Sequence, residues 1–85
     1  MFYLYILKSE TRGSYYIGHT ANIPERLFYH NQGWSKSTKS GRPWKVVYQE
    51  AYPTNSEAQR REVALKREKS SKYIERLIRG VAQLA

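Results

Sequence analysis

The 85-residue sequence contains no cysteine and no aspartate, and both absences limit the chemistry that it can support. Without cysteine there are no disulfides, no zinc-thiolate sites and no thiol catalysis, which fits a reducing compartment. All acidic residues are glutamates, so the chain has no cluster of short carboxylates of the kind that usually holds two metal ions. Any metal must therefore be held by few protein ligands.

Long apolar segments are also missing. The apolar run at 2–7 is too short for the hydrophobic region of a signal peptide, and it has neither a basic region before it nor a small-residue cleavage site after it. No segment has the length and apolar character of a membrane-spanning helix. We therefore expect a cytoplasmic protein with no membrane partner.

A chain of this length has room for one domain with one modest core. We predict that 1–80 form this domain and that 81–85 are a disordered tail, because little in the last residues would hold them. The sequence contains no internal repeat. A second catalytic domain is therefore excluded.

The most prominent feature of the composition is positive charge. There are 15 Lys and Arg residues against 7 acidic ones, which gives a formal net charge of +8. Such an excess favours a polyanionic partner, above all nucleic acid. Charge alone leaves other classes open, because proteins that bind ribosomes or membrane surfaces share it.

The apolar periodicity predicts an α/β (α+β) domain with the element order β-β-α-β-α-α. Alternation at 2–7 and again at 15–18 indicates a β-hairpin, with Tyr3 and Tyr5 on one face of its first strand. The segment 44–52 carries apolar residues on both faces, so we predict that it is the central strand.

Helix starts are indicated by capping residues. Asn22 is predicted to begin a helix that ends at about Asn31 and turns Ile23, Leu27 and Phe28 toward the core.

Two more helices follow the third predicted strand. Thr54 and Glu57 have the spacing of a capping box, which begins a helix over about 54–68. Ser70 or Ser71 is predicted to cap the last helix, which Gly80 ends.

Glu62 is the acidic residue whose position is least expected. On a helical wheel it falls between Ala58 and Leu65, on the side that should pack inward. One interpretation is an ion pair with a lysine or arginine at the edge of the core, and another is a metal ligand. Arg26 and His30 stand four residues apart on the first helix and could reach one site, although such pairs are usually solvated.

Other basic side chains are candidates for contacts with phosphate groups. They are His19, Lys36, Lys39, Arg42, Lys66, Lys69, Lys72 and Arg76. Three of them lie in 33–43, whose serines and glycines predict a mobile basic loop. The chain has no helix-turn-helix, zinc-finger or RRM signature, so we expect low sequence specificity.

Together, these residues resemble the GIY-YIG nucleases, in particular the small bacterial members without an attached DNA-binding domain. The two name-giving motifs correspond to Tyr3-Leu4-Tyr5 and Tyr16-Ile17-Gly18, and the ordered set continues through Arg26, His30 and Glu62. The resemblance extends over about 2–79. It implies a three-stranded antiparallel sheet flanked by helices, in agreement with the predicted order of elements.

The resemblance also implies roles for the matching residues. One of the hydroxyls of Tyr5 and Tyr16, more readily that of Tyr16, would help to deprotonate or orient the attacking water, and His30 would share in the proton transfer or align the water. Arg26 would stabilise charge on the phosphate in the transition state. Glu62 would hold one Mg²⁺ or Mn²⁺ ion.

The function that this implies is a divalent-metal-dependent endonuclease or nickase that cuts phosphodiester bonds, with DNA favoured as partner. One alternative is a module that binds DNA or RNA through the same basic surface without cutting it. Another is a protein-interaction subunit that uses the last helix, which would show no salt-sensitive binding of nucleic acid.

Overall fold

The chain forms one three-stranded sheet with helices on both faces, in a computed structural model that describes 1–68 and 70–84, with the backbone alone for 81–84. The order β-β-α-β-α-α is as predicted. The elements are β1 (Phe2–Ser9), β2 (Tyr15–Thr20), α1 (Ile23–Asn31), β3 (Trp44–Tyr52), α2 (Asn55–Glu68) and α3 (Ser71–Leu84), with a short 3-10 helix at Lys39–Gly41. None of the helices in this part of the chain has the length and apolar character needed to cross a bilayer.

The strands are antiparallel, and their order in the sheet is β2-β1-β3. β1 is therefore central, and the prediction that β3 would be central is wrong. In β1, Leu4, Tyr5, Ile6 and Leu7 are at most 1% exposed, whereas most of β3 is only partly buried. An edge strand partly covered on each face shows the same apolar pattern as a central one, so the pattern of β3 alone did not distinguish them.

Alternation along β1 divides the core into two layers. Leu4 and Ile6 pack with Leu65 of α2 and Ile74 of α3 on one face. Tyr5 packs on the other face, in a layer that includes Leu7, Trp44 and parts of β2 and α1. The site described below lies mainly in this second layer.

The capping residues begin the helices as predicted. Asn22 Oδ1 accepts a hydrogen bond from the backbone N–H of Glu25 at 3.0 Å. The hydroxyl of Thr54 accepts from the N–H of Glu57 at 3.3 Å, and Ser70 Oγ accepts from a backbone N–H of α3 at 3.4 Å. Each cap satisfies a donor that has no partner within its own helix.

Two helix predictions are wrong. Phe28 is 57% exposed, because successive helical residues are turned by about 100° and His30, not Phe28, shares the inward face with Leu27. α3 continues through Leu84, past Gly80. Gly80 is not among the glycines with positive φ, so it lacks the conformation of a terminating glycine. The helix thus continues through 81–84, and Ala85 lies outside the described residues. The division into a domain at 1–80 and a disordered tail at 81–85 stays a prediction.

Two sets of polar contacts fix the helices on the sheet. Asn31 at the end of α1 exchanges hydrogen bonds with the backbone of Trp44, its Nδ2 donating at 3.0 Å and its Oδ1 accepting at 2.7 Å. On α2, Arg61 donates from Nε to Glu50 of β3 at 2.9 Å. These contacts set where α1 and α2 stand relative to β3.

Glu50 also accepts hydrogen bonds from the hydroxyls of Tyr48 and Tyr52. Burial on its own raises the pKa of Glu50, but the hydrogen bonds from Arg61 and the two tyrosines hold it below its usual value. Burial and this carboxylate together raise the pKa of Tyr48 to about 12. The cluster is therefore an ionised carboxylate with its hydrogen-bonding capacity satisfied.

Truncation of Leu65 should test whether the layer between β1, α2 and α3 carries the stability of the fold. Leu65 is 1% exposed, so Leu65→Ala should lower the free energy of unfolding by about 2–5 kcal/mol through lost burial and a cavity. The matched control is Val63→Ala on the same helix, because Val63 is 45% exposed. Urea titration measures both; equal effects would contradict this description of the core.

Candidate nuclease site

Tyr5 and Gly18 face each other across the hairpin, and the glycine makes room for the phenol. They are partners in the register between β1 and β2. A Cβ atom on Gly18 would lie 2.6 Å from the Tyr5 hydroxyl oxygen, inside any real contact distance. The glycine that ends the second motif therefore lets the Tyr5 ring lie across β2, toward the open edge of the sheet.

The Tyr5 hydroxyl meets His30, which α1 turns into the same layer. Tyr5 Oη lies 3.1 Å from His30 Nε2, and His30 Nδ1 lies 2.8 Å from Thr38 Oγ1. Tyr5, His30 and Thr38 are each at most 1% exposed. Thr38 is held in turn by Trp44, whose Nε1 donates to the Thr38 carbonyl at 2.8 Å. The result is a buried polar chain in which each side chain has a partner.

The pKa values indicate where the protons of this chain lie. Burial, reinforced by neighbouring Tyr16, raises the pKa of Tyr5 to about 12, so its phenol stays protonated. Burial and the charge of Arg26 lower the pKa of His30 below its ordinary value, so the imidazole is neutral. We therefore assign Tyr5 as donor to Nε2, which leaves Nδ1–H to donate to Thr38.

Tyr16 packs against this chain but is only half buried. Its ring centroid lies 4.8 Å from that of His30 and 6.4 Å from that of Tyr5. Lys66 Nζ lies 6.0 Å from the centroid of the Tyr16 ring. Within the described residues no protein group bonds the Tyr16 hydroxyl, so it remains available to a ligand or to water.

Arg26 lies on the exposed side of α1, at the edge of the same cluster. Its charge opposes part of the rise in the pKa of Tyr5 and adds to the effect of burial in lowering the pKa of His30, so the guanidinium is within electrostatic range of the buried chain. Its Cζ atom also lies 4.5 Å from the centroid of the Tyr29 ring. Arg26 therefore connects the buried tyrosine with the surface.

Glu62 reaches the site from α2, and its carboxylate is paired on both oxygens. Oε1 lies 2.6 Å from His19 Nδ1, and Lys66 Nζ donates to Oε2 at 2.7 Å. Burial alone would raise the pKa of Glu62, but the hydrogen bonds from Lys66 and His19 lower it. The carboxylate charge acts in turn on the Tyr5 hydroxyl. The ion pair considered from the sequence is thus present, and Glu62 still stands beside the tyrosines.

Whether Glu62 could also hold a metal depends on what surrounds it. No group of three or more His, Cys or acidic side chains that could enclose a metal occurs in 1–68 and 70–84. The donor set fits an ion held by one carboxylate, with phosphate oxygens and waters in the other positions. Lys66 would have to give up its place on Oε2, and its side chain is 52% exposed and free to turn.

The basic residues predicted to contact phosphates fall into distinct groups. Lys36, Lys39, Lys72 and Arg76 are exposed, whereas His19 and Lys66 are engaged by Glu62, and Lys69 lies outside the described residues.

The 33–43 segment is not the freely mobile loop that we predicted. It contains buried Thr38 and Gly41 and the 3-10 helix. The contacts of Thr38 with His30 and Trp44 hold it, and spacing in the sequence does not reveal such contacts.

Two features of this region were not found from the sequence. Thr38 completes the buried chain, and nothing distinguishes it locally from the serines around it. Exposed Phe28 and Trp34 also form a group with half-buried Tyr29 next to Arg26; the ring centroid of Trp34 lies 5.8 Å from that of Phe28 and 5.9 Å from that of Tyr29. The aromatic pair at 28–29, close to Trp34, was the available signal, but Phe28 was assigned to the core.

Comparisons with known proteins show which family this chain resembles. The family model of the GIY-YIG catalytic domain matches residues 1–74. The chain is 43% identical over 76 residues to a UPF0213 protein of Staphylococcus saprophyticus, covering 85% of this chain and 92% of that protein. It is 41% identical over 73 residues to a UPF0213 protein of Cupriavidus pinatubonensis, covering 85% and 80%.

A solved structure is also similar. The solution NMR structure of a UPF0213 protein from Bacillus halodurans matches with a TM-score of 0.55 and 34% identity, covering 92% of this chain and 83% of that chain. The resemblance predicted from the two motifs together with Arg26, His30 and Glu62 is thereby confirmed, and with it the predicted fold.

Adding one methyl group at Gly18 should displace the Tyr5 hydroxyl. Gly18→Ala forces a clash with the phenol, so we expect a loss of about 1–3 kcal/mol in the free energy of unfolding from overpacking. NMR of the His30 ring nitrogens should show that the bond to Tyr5 is lost.

The same substitution at Gly80 is the control, because a Cβ there meets nothing within 4 Å. Gly80→Ala should stabilise α3 by roughly 0.5–1 kcal/mol. Unchanged His30 signals in Gly18→Ala would show that the position of the Tyr5 phenol does not depend on the glycine.

His30 should make stability depend on pH. Its folded pKa lies below the ordinary histidine value of 6.5, so the unfolded chain takes up a proton first. Stability is then complete above about pH 6.5 and falls as the pH drops toward the folded pKa, by at most about 1.4 kcal/mol per pH unit. His30→Gln should remove this slope in urea titrations; an identical slope in both proteins would mean that folded His30 accepts the proton.

Proposed function

The chain belongs to the GIY-YIG catalytic domain family, and from this premise we propose that it is an endonuclease or nickase that hydrolyses phosphodiester bonds in DNA with one divalent metal ion. The observation that best supports the proposal is that Lys66, which donates to the Glu62 carboxylate, also lies 6.0 Å from the centroid of the Tyr16 ring. The carboxylate is therefore close to the pair of tyrosines, and Arg26 is within electrostatic range of Tyr5. A protein that only binds phosphates has no need for a carboxylate there.

We assign the attacking water to Tyr16. Tyr5 is not available as a base, because its raised pKa of about 12 keeps the phenol protonated and its proton is directed to His30. Tyr16 is more exposed than Tyr5, and Lys66 Nζ lies 6.0 Å from the centroid of its ring. Tyr16 would therefore orient or deprotonate the water, with Lys66 as the nearby cation.

His30 takes a positioning role in this proposal. Both of its ring nitrogens are engaged, by Tyr5 and by Thr38, and the side chain is fully buried. It has no free nitrogen for a substrate or water, so it fixes the Tyr5 ring next to Tyr16 instead of sharing in the proton transfer.

Arg26 would stabilise the charge that accumulates on the phosphate during in-line displacement. Its side chain is exposed, and the planar guanidinium offers donors that match two phosphate oxygens. Glu62 would hold the metal, and Lys66, displaced from Oε2, would remain close enough to pair with the substrate phosphate. A bound Mg²⁺ or Mn²⁺ ion would neutralise charge on the phosphate and the leaving oxygen.

A second candidate function is a module that binds nucleic acid without cutting it. One observation favours it: both oxygens of Glu62 are already paired within the protein. In that case the ion pair only positions α2 against β2, and the exposed cations bind the phosphate backbone.

Substitution of Glu62 and Arg26 separates the two functions. With Mg²⁺ or Mn²⁺ present, the protein should nick supercoiled plasmid and cut branched oligonucleotides. Glu62→Gln and Arg26→Ala should each lower the cleavage rate by on the order of 100-fold, because each removes charge stabilisation of the transition state, while binding at low salt persists.

The matched controls are Glu68→Gln and Arg60→Ala. Both residues are exposed on α2, and the substitutions change the net charge by the same amounts as the tests. Both controls should cut at the native rate. Tight, salt-sensitive binding without cleavage by the native protein would reject the nuclease and support the binding module.

A further inference from the structure

An aromatic surface lies exposed beside the site. It consists of Phe28, Tyr29 and Trp34, of which Phe28 is 57% and Trp34 63% exposed. Trp34 meets the other two rings at interplanar angles of 77° and 68°, so neither ring stacks parallel on the indole. Large aromatic rings exposed together on a small soluble protein mark a binding surface more often than a single exposed ring does.

Two arginines lie close to this surface. The guanidinium of Arg26 lies 4.5 Å from the ring centroid of Tyr29. A second arginine, Arg42, packs against Gly33, the residue before Trp34, where a Cβ atom would lie 2.6 Å from Arg42 Nη1. Gly33 has φ +78, and this conformation together with the missing side chain makes room for the guanidinium. The aromatic rings and two guanidinium groups thus occupy one region.

A small cavity connects the aromatic surface with Arg26. Its volume is about 190 Å³, and its lining includes Arg26, Phe28, Tyr29 and Trp34, with Glu25 as the acidic member. Because the charge of Arg26 also reaches Tyr5 and His30, a ligand seated here would be next to the proposed point of cleavage.

We propose that Phe28, Tyr29 and Trp34 form a stacking surface for unpaired nucleobases, and that the preferred substrate therefore contains a single-stranded segment. This inference rests on the proposed function, in that it takes nucleic acid as the ligand. In a continuous duplex the faces of the bases are covered by their neighbours, whereas unpaired bases offer them to protein rings. Arg26 and Arg42 supply the positive charge for the phosphates on either side of the stacked base.

Charge distinguishes this ligand from the alternatives. A second copy of the chain would bring another net charge of +8 to a surface already flanked by two arginines, and the two would repel each other. Nucleic acid offers bases to the aromatic rings and phosphates to the guanidinium groups.

The test measures binding by fluorescence anisotropy, in EDTA so that no cleavage occurs. The probes are a labelled single-stranded oligothymidine, an abasic strand of the same length and a blunt duplex. The native protein should bind oligothymidine more tightly than the abasic strand. Trp34→Ala should weaken oligothymidine binding by on the order of tenfold, to the level of the abasic strand, and leave duplex binding unchanged.

Two further variants control for packing and chemistry. Trp34→Phe retains an aromatic face and should retain most of the affinity for oligothymidine. Val63→Ala removes an exposed apolar side chain from α2 and should have no effect. Trp34 is also the exposed one of the two tryptophans, Trp44 being 7% exposed, so oligothymidine should quench native fluorescence and fail to quench that of Trp34→Phe.

Several results would overturn the proposal. Equal affinity of the native protein for oligothymidine and the abasic strand would show that bases are not bound. An equal loss of affinity for the duplex and for the single strand in Trp34→Ala would indicate a general effect on the protein and not the loss of base stacking. A native dimer that Trp34→Ala dissociates would assign the surface to a second copy.

The outcome for this surface is separable from the outcome for the nuclease. If duplex cleavage requires Glu62 but is unchanged in Trp34→Ala, and the native protein shows no preference for unpaired bases, the stacking surface alone is rejected. Preference for oligothymidine without any metal-dependent cleavage would reject the nuclease and retain the stacking surface.

Discussion

The hydrogen bond between Tyr5 and His30 is the contact on which the arrangement of the site depends. It joins the central strand to α1, and through Thr38 it also holds the segment that leads into β3. All three side chains are buried, so each polar atom would be costly to leave unpaired. Gly18 belongs to the same constraint, because only a residue without Cβ leaves the phenol in reach of His30. Gly18, the last residue of the second motif, thus makes room for Tyr5, the last residue of the first motif.

Local signals in the sequence predicted most of the fold. The hairpin follows from alternation at 2–7 and 15–18, and the starts of the three helices follow from capping groups a few residues away. The errors concern properties that are not local. The place of β3 in the sheet depends on which strand of the hairpin has a free edge to pair with. The end of α3 is not determined by the presence of a glycine alone. For Phe28, the inward position was taken by His30, whose partner Tyr5 lies 25 residues away in the chain.

For the site, the sequence identified the charged groups but not the contacts that give them their states. Glu62 on an inward helical face was visible from its spacing, and the choice between ion pair and metal ligand was left open. The structure shows the ion pair, with Lys66 and His19 on the two oxygens. Lys66 lies on the same helix as Glu62 and also near Tyr16, so one cation interacts with both of these residues. Pairings of this kind arise from tertiary packing, and a single sequence does not contain them.

The two helices that supply the site are attached to the sheet by separate contacts. α1 is fixed by Asn31 on the backbone of Trp44, and α2 by Arg61 on Glu50. Arg26 and the aromatic surface belong to the first attachment, and Glu62 to the second. Substitutions on the exposed side of α1 and in the segment after it can therefore accumulate without moving Glu62. In evolutionary terms, such a scaffold allows the aromatic surface to change while the acidic residue keeps its place.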